Sequence, residues 1–452
     1  MGNTRTLTTR PLFLLFLCSI EGIGSSSINF SKPNPPLAFC SRYKCCPQGS
    51  SQARMDCSDK NVTAFVDAVF PSGVQMLSLK HNGIKKVEAQ AFVTSTKVVH
   101  LDLSYNKIDS LETGSLSNLS GLSSVDLSHN HLWKINSRAF QGLRTLVRLD
   151  IGYNQLQTLY DDDFSELEHL EELDLDHNPL GHISGRCFQF LRNLKVLSLN
   201  SVGHTHLSPD VFAHVRSLTR LSLVGNGFRS LPAAALQGLY DLRSLDVSQN
   251  PLTHVGSSCL RELPSLRTLR LNDMYQLTSV DVFAFGNLPG LKELYLNYNP
   301  KLISIHKDAF RSFSHSQFVQ LDELYLRQTA LQTLSSRMQD WGKLAVVDLA
   351  ENPWNCDCRL RWMAHLTVKT VAEHHFSCAH PPSLLGRRVQ DLAAEHLSCD
   401  KPSLAELSTS IAMLCVMLFA SCATVLGVLV YHQCTPTEKP DYSRVWPSDS
   451  SV

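Results

Sequence analysis

The sequence predicts an α/β solenoid, a curved horseshoe with a parallel β-sheet on its concave face, followed by one transmembrane helix. Three observations predict it. An apolar frame recurs every 24 residues: LSSVDLSHNHL (Leu122 to Leu132), LVRLDIGYNQL (Leu146 to Leu156) and LEELDLDHNPL (Leu170 to Leu180). An asparagine ladder and a phenylalanine ladder run in phase with it. Four cysteines crowd between Cys40 and Cys57 and four between Cys356 and Cys399, on either side of the repeats. Each copy of such a frame supplies one short strand and buries its leucines only by stacking on neighbours.

Bulk composition narrows the function classes. At 452 residues the chain has the length of two or three ordinary domains, but a repeat array has an extended core that breaks that rule. Its 41 basic and 41 acidic residues cancel, so bulk attraction to nucleic acid is not indicated. The placement of the cysteines points to an oxidising compartment and two disulfide-stapled ends.

In chain order, residues 1–24 read as a cleaved secretory signal. Arg5 and Arg10 precede the apolar run Leu12 to Ile20, which is too short to span a bilayer, and Gly22 and Gly24 offer small residues for cleavage. Residues 25–39, rich in Ser and Pro, read as a disordered leader. Residues 40–73 hold Cys40, Cys45, Cys46 and Cys57 and read as a cap covering the first repeat. A zinc knuckle is the competing reading of those thiols.

Twelve repeats fill residues 74–351, starting at Val74, Val98, Leu122, Leu146, Leu170, Leu194, Leu218, Leu242, Leu266, Leu291, Leu321 and Leu344. The asparagine ladder is Asn82, Asn106, Asn130, Asn154, Asn178, Asn226, Asn250, Asn299 and Asn352, interrupted by Val202, Met274 and Thr329. Its side chains are expected to bond backbone groups that the turn after each strand would orphan. The aromatic ladder is Phe92, Phe140, Phe164, Phe188, Phe212, Phe285 and Phe310, with Leu116, Leu236 and Leu260 in its gaps, expected as a spine near the convex side.

LxxLxLxxNxL is the pattern of the leucine-rich repeat, and residues 40–400 resemble the extracellular members of that family, near transmembrane neuronal and adhesion proteins. The resemblance implies an N-terminal cap with Cys40–Cys46 and Cys45–Cys57 bridges. NPWNCDCRLRWM (Asn352 to Met363), followed by Cys378 and Cys399, resembles the family's C-terminal cap over residues 352–400. It implies Cys356–Cys378 and Cys358–Cys399 bridges, with Trp354 and Trp362 closing the open core.

Regularity fails late: the step from Leu266 to Leu291 is 25 residues and that from Leu291 to Leu321 is 30. The surplus, Ser312 to Gln320, is expected as a loop, either a tolerated insertion or part of a binding face. Cys187 and Cys259 sit at equivalent places three repeats apart, at least ~14 Å at one strand spacing per repeat, too far for a bridge. They are expected as buried free thiols.

A linker, 401–406, leads to Leu407 to Tyr431, an uncharged run. As a helix it is roughly 37 Å long, enough to cross a bilayer once. The expected topology is type I at the plasma membrane, with the N-terminus outside and residues 432–452 as a cytoplasmic tail. Ser450 and Val452 resemble a class I PDZ ligand, which would bring a PDZ scaffold as partner. Tyr442 and Val445 resemble a YxxΦ sorting signal, which would bring a clathrin adaptor. Cys434 is a palmitoylation candidate. All three also fit an idle tail.

Between the strand leucines, side chains point outward. Asp102, Asp126, Asp150 and Asp174 form an acidic column, with Glu171, Glu172 and Asp176 nearby, which is equally ordinary repeat composition. Arg220, Arg243, Arg267 and Arg270 make a basic step, and Tyr295, Tyr298, Tyr325 and Arg327 follow. Tyr and Arg dominate interface hot spots, so Arg243, Arg267, Arg270, Tyr295, Tyr298, Tyr325 and Arg327 are the candidate ligand-binding residues. His129 and His177, each before a ladder asparagine, read as repeat filler rather than metal ligands. Asn29, Asn61 and Asn118 stand in N-x-S/T sequons.

No motif places a nucleophile beside a base or cradles a phosphate, so neither catalysis, a cofactor nor a metal is implied. The expected function is a non-catalytic cell-surface receptor or adhesion protein that binds an extracellular or cell-surface protein ligand. The alternatives are an auxiliary subunit of a channel or co-receptor and an innate pattern-recognition co-receptor. Sequence leaves the oligomeric state open.

Overall fold

The computed structural model describes residues 38–46, 53–65, 69–89, 91–93, 95–136, 138–257, 259–260, 262–312, 318–366, 369–370, 376–393, 395–397, 399 and 411–425. Short parallel strands stack in one fourteen-stranded sheet. Twelve come from the repeats and one from each cap. In chain order they are β1 (Arg54–Asp56), β2 (Met76–Ser78), β3 (His100–Asp102), β4 (Ser124–Asp126), β5 (Arg148–Asp150), β6 (Glu172–Asp174), β7 (Val196–Ser198), β8 (Arg220–Ser222), β9 (Ser244–Asp246), β10 (Thr268–Arg270), β11 (Glu293–Tyr295), β12 (Glu323–Tyr325), β13 (Val346–Asp348) and β14 (Lys369–Thr370). In each repeat strand the middle residue is apolar and buried, and its neighbours face the other way, because successive strand side chains alternate.

Register follows the leucines. Leu101 lies opposite Leu77 and Val125. The 30-residue step leaves it intact, with Leu294 opposite Leu324 and Tyr295 opposite Tyr325. Between Phe310 and Val319 the surplus chain leaves and returns through a backbone bond of 2.9 Å, and Arg311 bridges Phe318. Residues 313–317 of the expected loop lie outside the described set.

Each ladder asparagine ties two coils together. The Asn154 amide donates to the Leu127, Ile151 and Gly152 carbonyls at 3.0 Å each, and its oxygen accepts Leu132 N–H at 3.0 Å. The carbonyls are shared with the Asn130 and Asn178 amides and His129 N–H, but without Asn154 the buried Leu132 N–H would be left unpaired. Where Val202, Met274 and Thr329 break the ladder, the next coil's asparagine still reaches back. Asn226 takes the Leu199 carbonyl, Asn299 that of Leu271 and Asn352 that of Leu326. The residue before each asparagine holds a left-handed backbone, as at His129 (φ 53°) and Tyr153 (φ 52°).

The phenyl rings stack as a spine, Phe140, Phe164, Phe188 and Phe212 spaced 6.4, 6.3 and 6.5 Å. Rings on the strand side of the coils are closer, at 4.0 to 4.5 Å. The coils therefore fan apart toward the spine, which puts the sheet on the inner, concave face. Phe39, expected in the disordered leader, instead lies in the helix Ala38–Arg42 and is buried, because its ring packs on Phe70 at 5.0 Å. Phe70 in turn stacks on Phe92 at 5.8 Å and so extends the spine through the N-terminal cap.

Disulfides join Cys40 to Cys46 and Cys45 to Cys57 at one end, and Cys356 to Cys378 and Cys358 to Cys399 at the other. Trp354 is fully buried and its indole N–H donates to Leu349 O at 3.0 Å, while Trp362 packs on Trp341 with ring centroids 4.4 Å apart and the rings tilted by 38°. Cys187 and Cys259 are free; Cys187 is buried as expected, whereas Cys259 is only half-buried.

Residues 411–425, inside the expected membrane span, are helical. Among the described residues no helix is long and apolar enough to cross a membrane. The signal, Asn29, and the tail residues Cys434, Tyr442, Val445, Ser450 and Val452 lie outside the described residues.

Candidate functional site

The concave face is built of columns, one residue per strand. Strand pairing lines up the third strand residues: Asp102, Asp126, Asp150, Asp174, Ser198, Ser222, Asp246, Arg270, Tyr295, Tyr325 and Asp348. One column thus changes from four carboxylates through two hydroxyls and Asp246 to a guanidinium and two phenols, and closes on Asp348.

At its phenol end the rings of Tyr295 and Tyr325 stack at 4.5 Å, and the Arg270 guanidinium stands 4.9 Å over Tyr295. Tyr325 donates its hydroxyl to Glu323 Oε2 at 2.9 Å, and Tyr295 donates to Glu293 Oε2 at 3.4 Å. Glu293 also accepts the Thr268 hydroxyl at 3.1 Å. Burial first, then these carboxylates, push both phenols above the ordinary tyrosine range, so they stay protonated donors. Rigid rings held on strands offer large contact area at small entropic cost.

The other expected residues separate from that trio. Arg243 and Arg267 are exposed on the adjoining column, joined by Arg267 N–H to Arg243 O at 2.8 Å. Tyr298 occupies the left-handed turn position at the rim (φ 59°) beside Tyr275, Asp273 and Glu351, so it does not join the phenol column. Arg327 pairs with Glu351 at that rim. The seven residues thus form a concave trio, a basic pair and a rim pair.

At the acidic end, burial raises Asp150 to about 6 and Asp174 to about 7, and every charged neighbour acting on them is another aspartate. Glu171 and Glu172, by contrast, are paired with Lys195 and Arg148 at 2.7 and 2.6 Å. The column ends beside a shallow hollow holding Met76, 43% exposed on a sheet face that is otherwise polar there.

Sequence reasoning missed one arrangement. His81, Tyr105, His129, Tyr153 and His177 stack in an unbroken alternating row with ring separations of 4.4, 4.0, 4.1 and 4.2 Å. All five precede a ladder asparagine, and that shared offset is the signal that could have found them. Burial lowers His129, against the pull of Asp126. Asn61 is exposed, and Asn118 is half-buried near the spine residue Leu116. The described residues include one grouping with metal-ligand spacing, Asp357, Cys358 and Cys399, but those two thiols are joined as a disulfide and Asp357 is paired with Arg359.

A family model described as "Leucine rich repeat" matches residues 72–132, 120–180, 168–228, 216–273 and 264–331. Trophoblast glycoprotein of Mus musculus is 32% identical over 154 residues, covering 33% of this chain and 35% of that protein. Trophoblast glycoprotein of Macaca fascicularis is 29% identical over 181 residues, 38% of this chain and 41% of that protein. The chain thus matches well under half the length of these curated relatives. Among solved structures, the mouse RP105/MD-1 complex gives a TM-score of 0.57 at 25% identity, covering 76% of this chain and 54% of that one. The TLR13–ssRNA13 complex gives 0.50 at 24% identity, covering 69% and 52%, a likeness of fold alone.

Proposed function

The chain belongs to the leucine-rich repeat family, and from that premise we propose that it is a non-catalytic cell-surface receptor or adhesion protein. It holds a protein ligand on the concave sheet. The observation that carries this reading is the Arg270–Tyr295–Tyr325 stack, three hot-spot side chains fixed on neighbouring strands and facing outward. The relative RP105 is seen in complex with a protein, MD-1, which supports a protein as ligand. A secretory signal over residues 1–24, a span over 407–431 and a tail that meets PDZ scaffolds and clathrin adaptors complete the proposal. The four disulfides support the extracellular side of it, since such bridges persist in oxidising compartments.

The test is a binding screen of residues 25–403 against cell-surface and secreted proteins, repeated with Arg270→Glu, Tyr295→Ala and Tyr325→Ala. Loss of at least tenfold in affinity is expected for each at a hot spot. Unchanged binding in all three would remove the concave trio from the contact surface.

A further inference from the structure

A second surface lies on the flank of the early repeats. Lys107, His131 and Gln155 each follow a ladder asparagine, and their N–H groups donate to the Ile84, Ile108 and Leu132 carbonyls at 2.9, 2.8 and 2.8 Å. They form a row, one residue per coil. A parallel row runs Lys86, Ser110, Lys134, with Lys86 and Ser110 paired on adjacent short strands. At one strand spacing per coil, Lys86 and Lys134 stand ~10 Å apart with a hydroxyl between them.

These rows border a hollow that also holds Trp133. Its indole is 50% exposed, and Lys134 Nζ stands 4.5 Å over the ring. Indoles are highly buried on average, so a half-exposed one amid polar groups marks a contact surface. Lys85, Lys86, Lys107 and Lys134 make no ion pair among the described residues. Asp109, the one carboxylate in the hollow, accepts the Ser110 hydroxyl at 2.7 Å. In a chain of zero net charge this is a local excess of cations around an aromatic plate.

We propose that this flank binds a sulfated polysaccharide. The apolar C–H face of a sugar ring stacks on the Trp133 indole. The Gln155 amide and His131 imidazole, 3.4 Å apart, meet sugar hydroxyls. Lys86, Lys107 and Lys134, spaced along the rows, neutralise successive sulfates and release their counter-ions. An electrostatic site alone would have no use for the exposed indole. The site is separate from the concave face, so it stands or falls independently of the protein ligand there.

Asn61 heads the row that runs through Gly83 to Lys107, since Gly83 N–H donates to Val62 O at 2.8 Å. A glycan on Asn61 would shadow the site, and Thr63→Ala removes that sequon. The experiment measures binding of the purified full-length chain, with and without Thr63→Ala, to heparin across a salt series. Lys86→Gln with Lys134→Gln is expected to weaken heparin binding by roughly tenfold or more and to lower the salt slope by about two, one per lysine. Trp133→Ala is expected to weaken it several-fold, and Trp133→Phe to retain most of the affinity. Arg243→Gln with Arg267→Gln, on the concave face, should leave it unchanged. The proposal is overturned if the flank variants match the parent chain in the Thr63→Ala background. It is equally overturned if heparin binding is insensitive to Trp133→Ala and single-stranded DNA of matched charge binds as tightly.

Discussion

Tyr295 and Tyr325 are 30 residues apart in sequence, yet their rings lie parallel within 5° at a centroid distance of 4.5 Å. The extra residues of that repeat are taken up between Phe310 and Val319, so the two strands meet as if the repeat were of ordinary length. The stack is thus a property of the sheet register. A double-mutant cycle with Tyr295→Ala and Tyr325→Ala should show a coupling of about 1 kcal/mol in chemical unfolding. Additive effects would mean that the rings merely lie side by side.

Asn154 bonds four backbone groups from two coils. Each of its three carbonyl partners has a second donor, in the Asn130 amide, the Asn178 amide and His129 N–H, whereas Leu132 N–H has no other acceptor among the described residues. Asn154→Ala should therefore cost about 1–3 kcal/mol, because it leaves the buried Leu132 N–H without an acceptor. Urea denaturation checks this, and a loss under ~1 kcal/mol would show that water enters the turn.

The pH dependence has a definite sign. The folded-state values of Asp150 and Asp174, about 6 and about 7, lie above the ordinary aspartate value of 3.8. Folding then favours the protonated acids. Their contribution is present at and below pH 4 and is lost as pH rises through 6 to 7. Asp150→Asn keeps an acceptor for Gly152 N–H while removing the charge. It should raise the melting temperature at pH 8 and change it little at pH 4.5. Equal shifts at both pH values would contradict a folded-state value raised by burial and the neighbouring aspartates.

Trp354 fills the C-terminal lid with no exposed surface and donates its indole N–H to Leu349. Trp354→Ala should cost roughly 3–5 kcal/mol, while Trp354→Phe should retain much of the stability. Differential scanning calorimetry distinguishes the two, and a silent Trp354→Ala would mean that the disulfides alone close that end.

Much of this was legible in the sequence because the period is strict. The leucine frame gave the strands, and the asparagine and phenyl ladders gave the turn and the spine. The site was legible only through offsets within the frame. Arg270, Tyr295 and Tyr325 each stand four residues after a repeat start and share a column. Tyr298 stands seven after, which is the turn position and also the offset of His81, Tyr105, His129, Tyr153 and His177. Grouping Tyr298 with the phenol column counted proximity in the chain rather than offset. Ion pairing stayed hidden, because whether Glu172 meets Arg148 or Arg327 meets Glu351 depends on side chains a whole coil apart.

The left-handed residue before each asparagine has one more consequence. L side chains adopt that backbone only at a cost, yet Ser201, Asp273 and Gln328 hold it too, where no asparagine follows. It is therefore the stacking of coil on coil that imposes it, and every turn but the one at Gly225 bears the strain. Loosening of any one coil would remove what holds its two neighbours in that backbone, so that partial unfolding of this chain should advance coil by coil from a breach instead of staying confined to it.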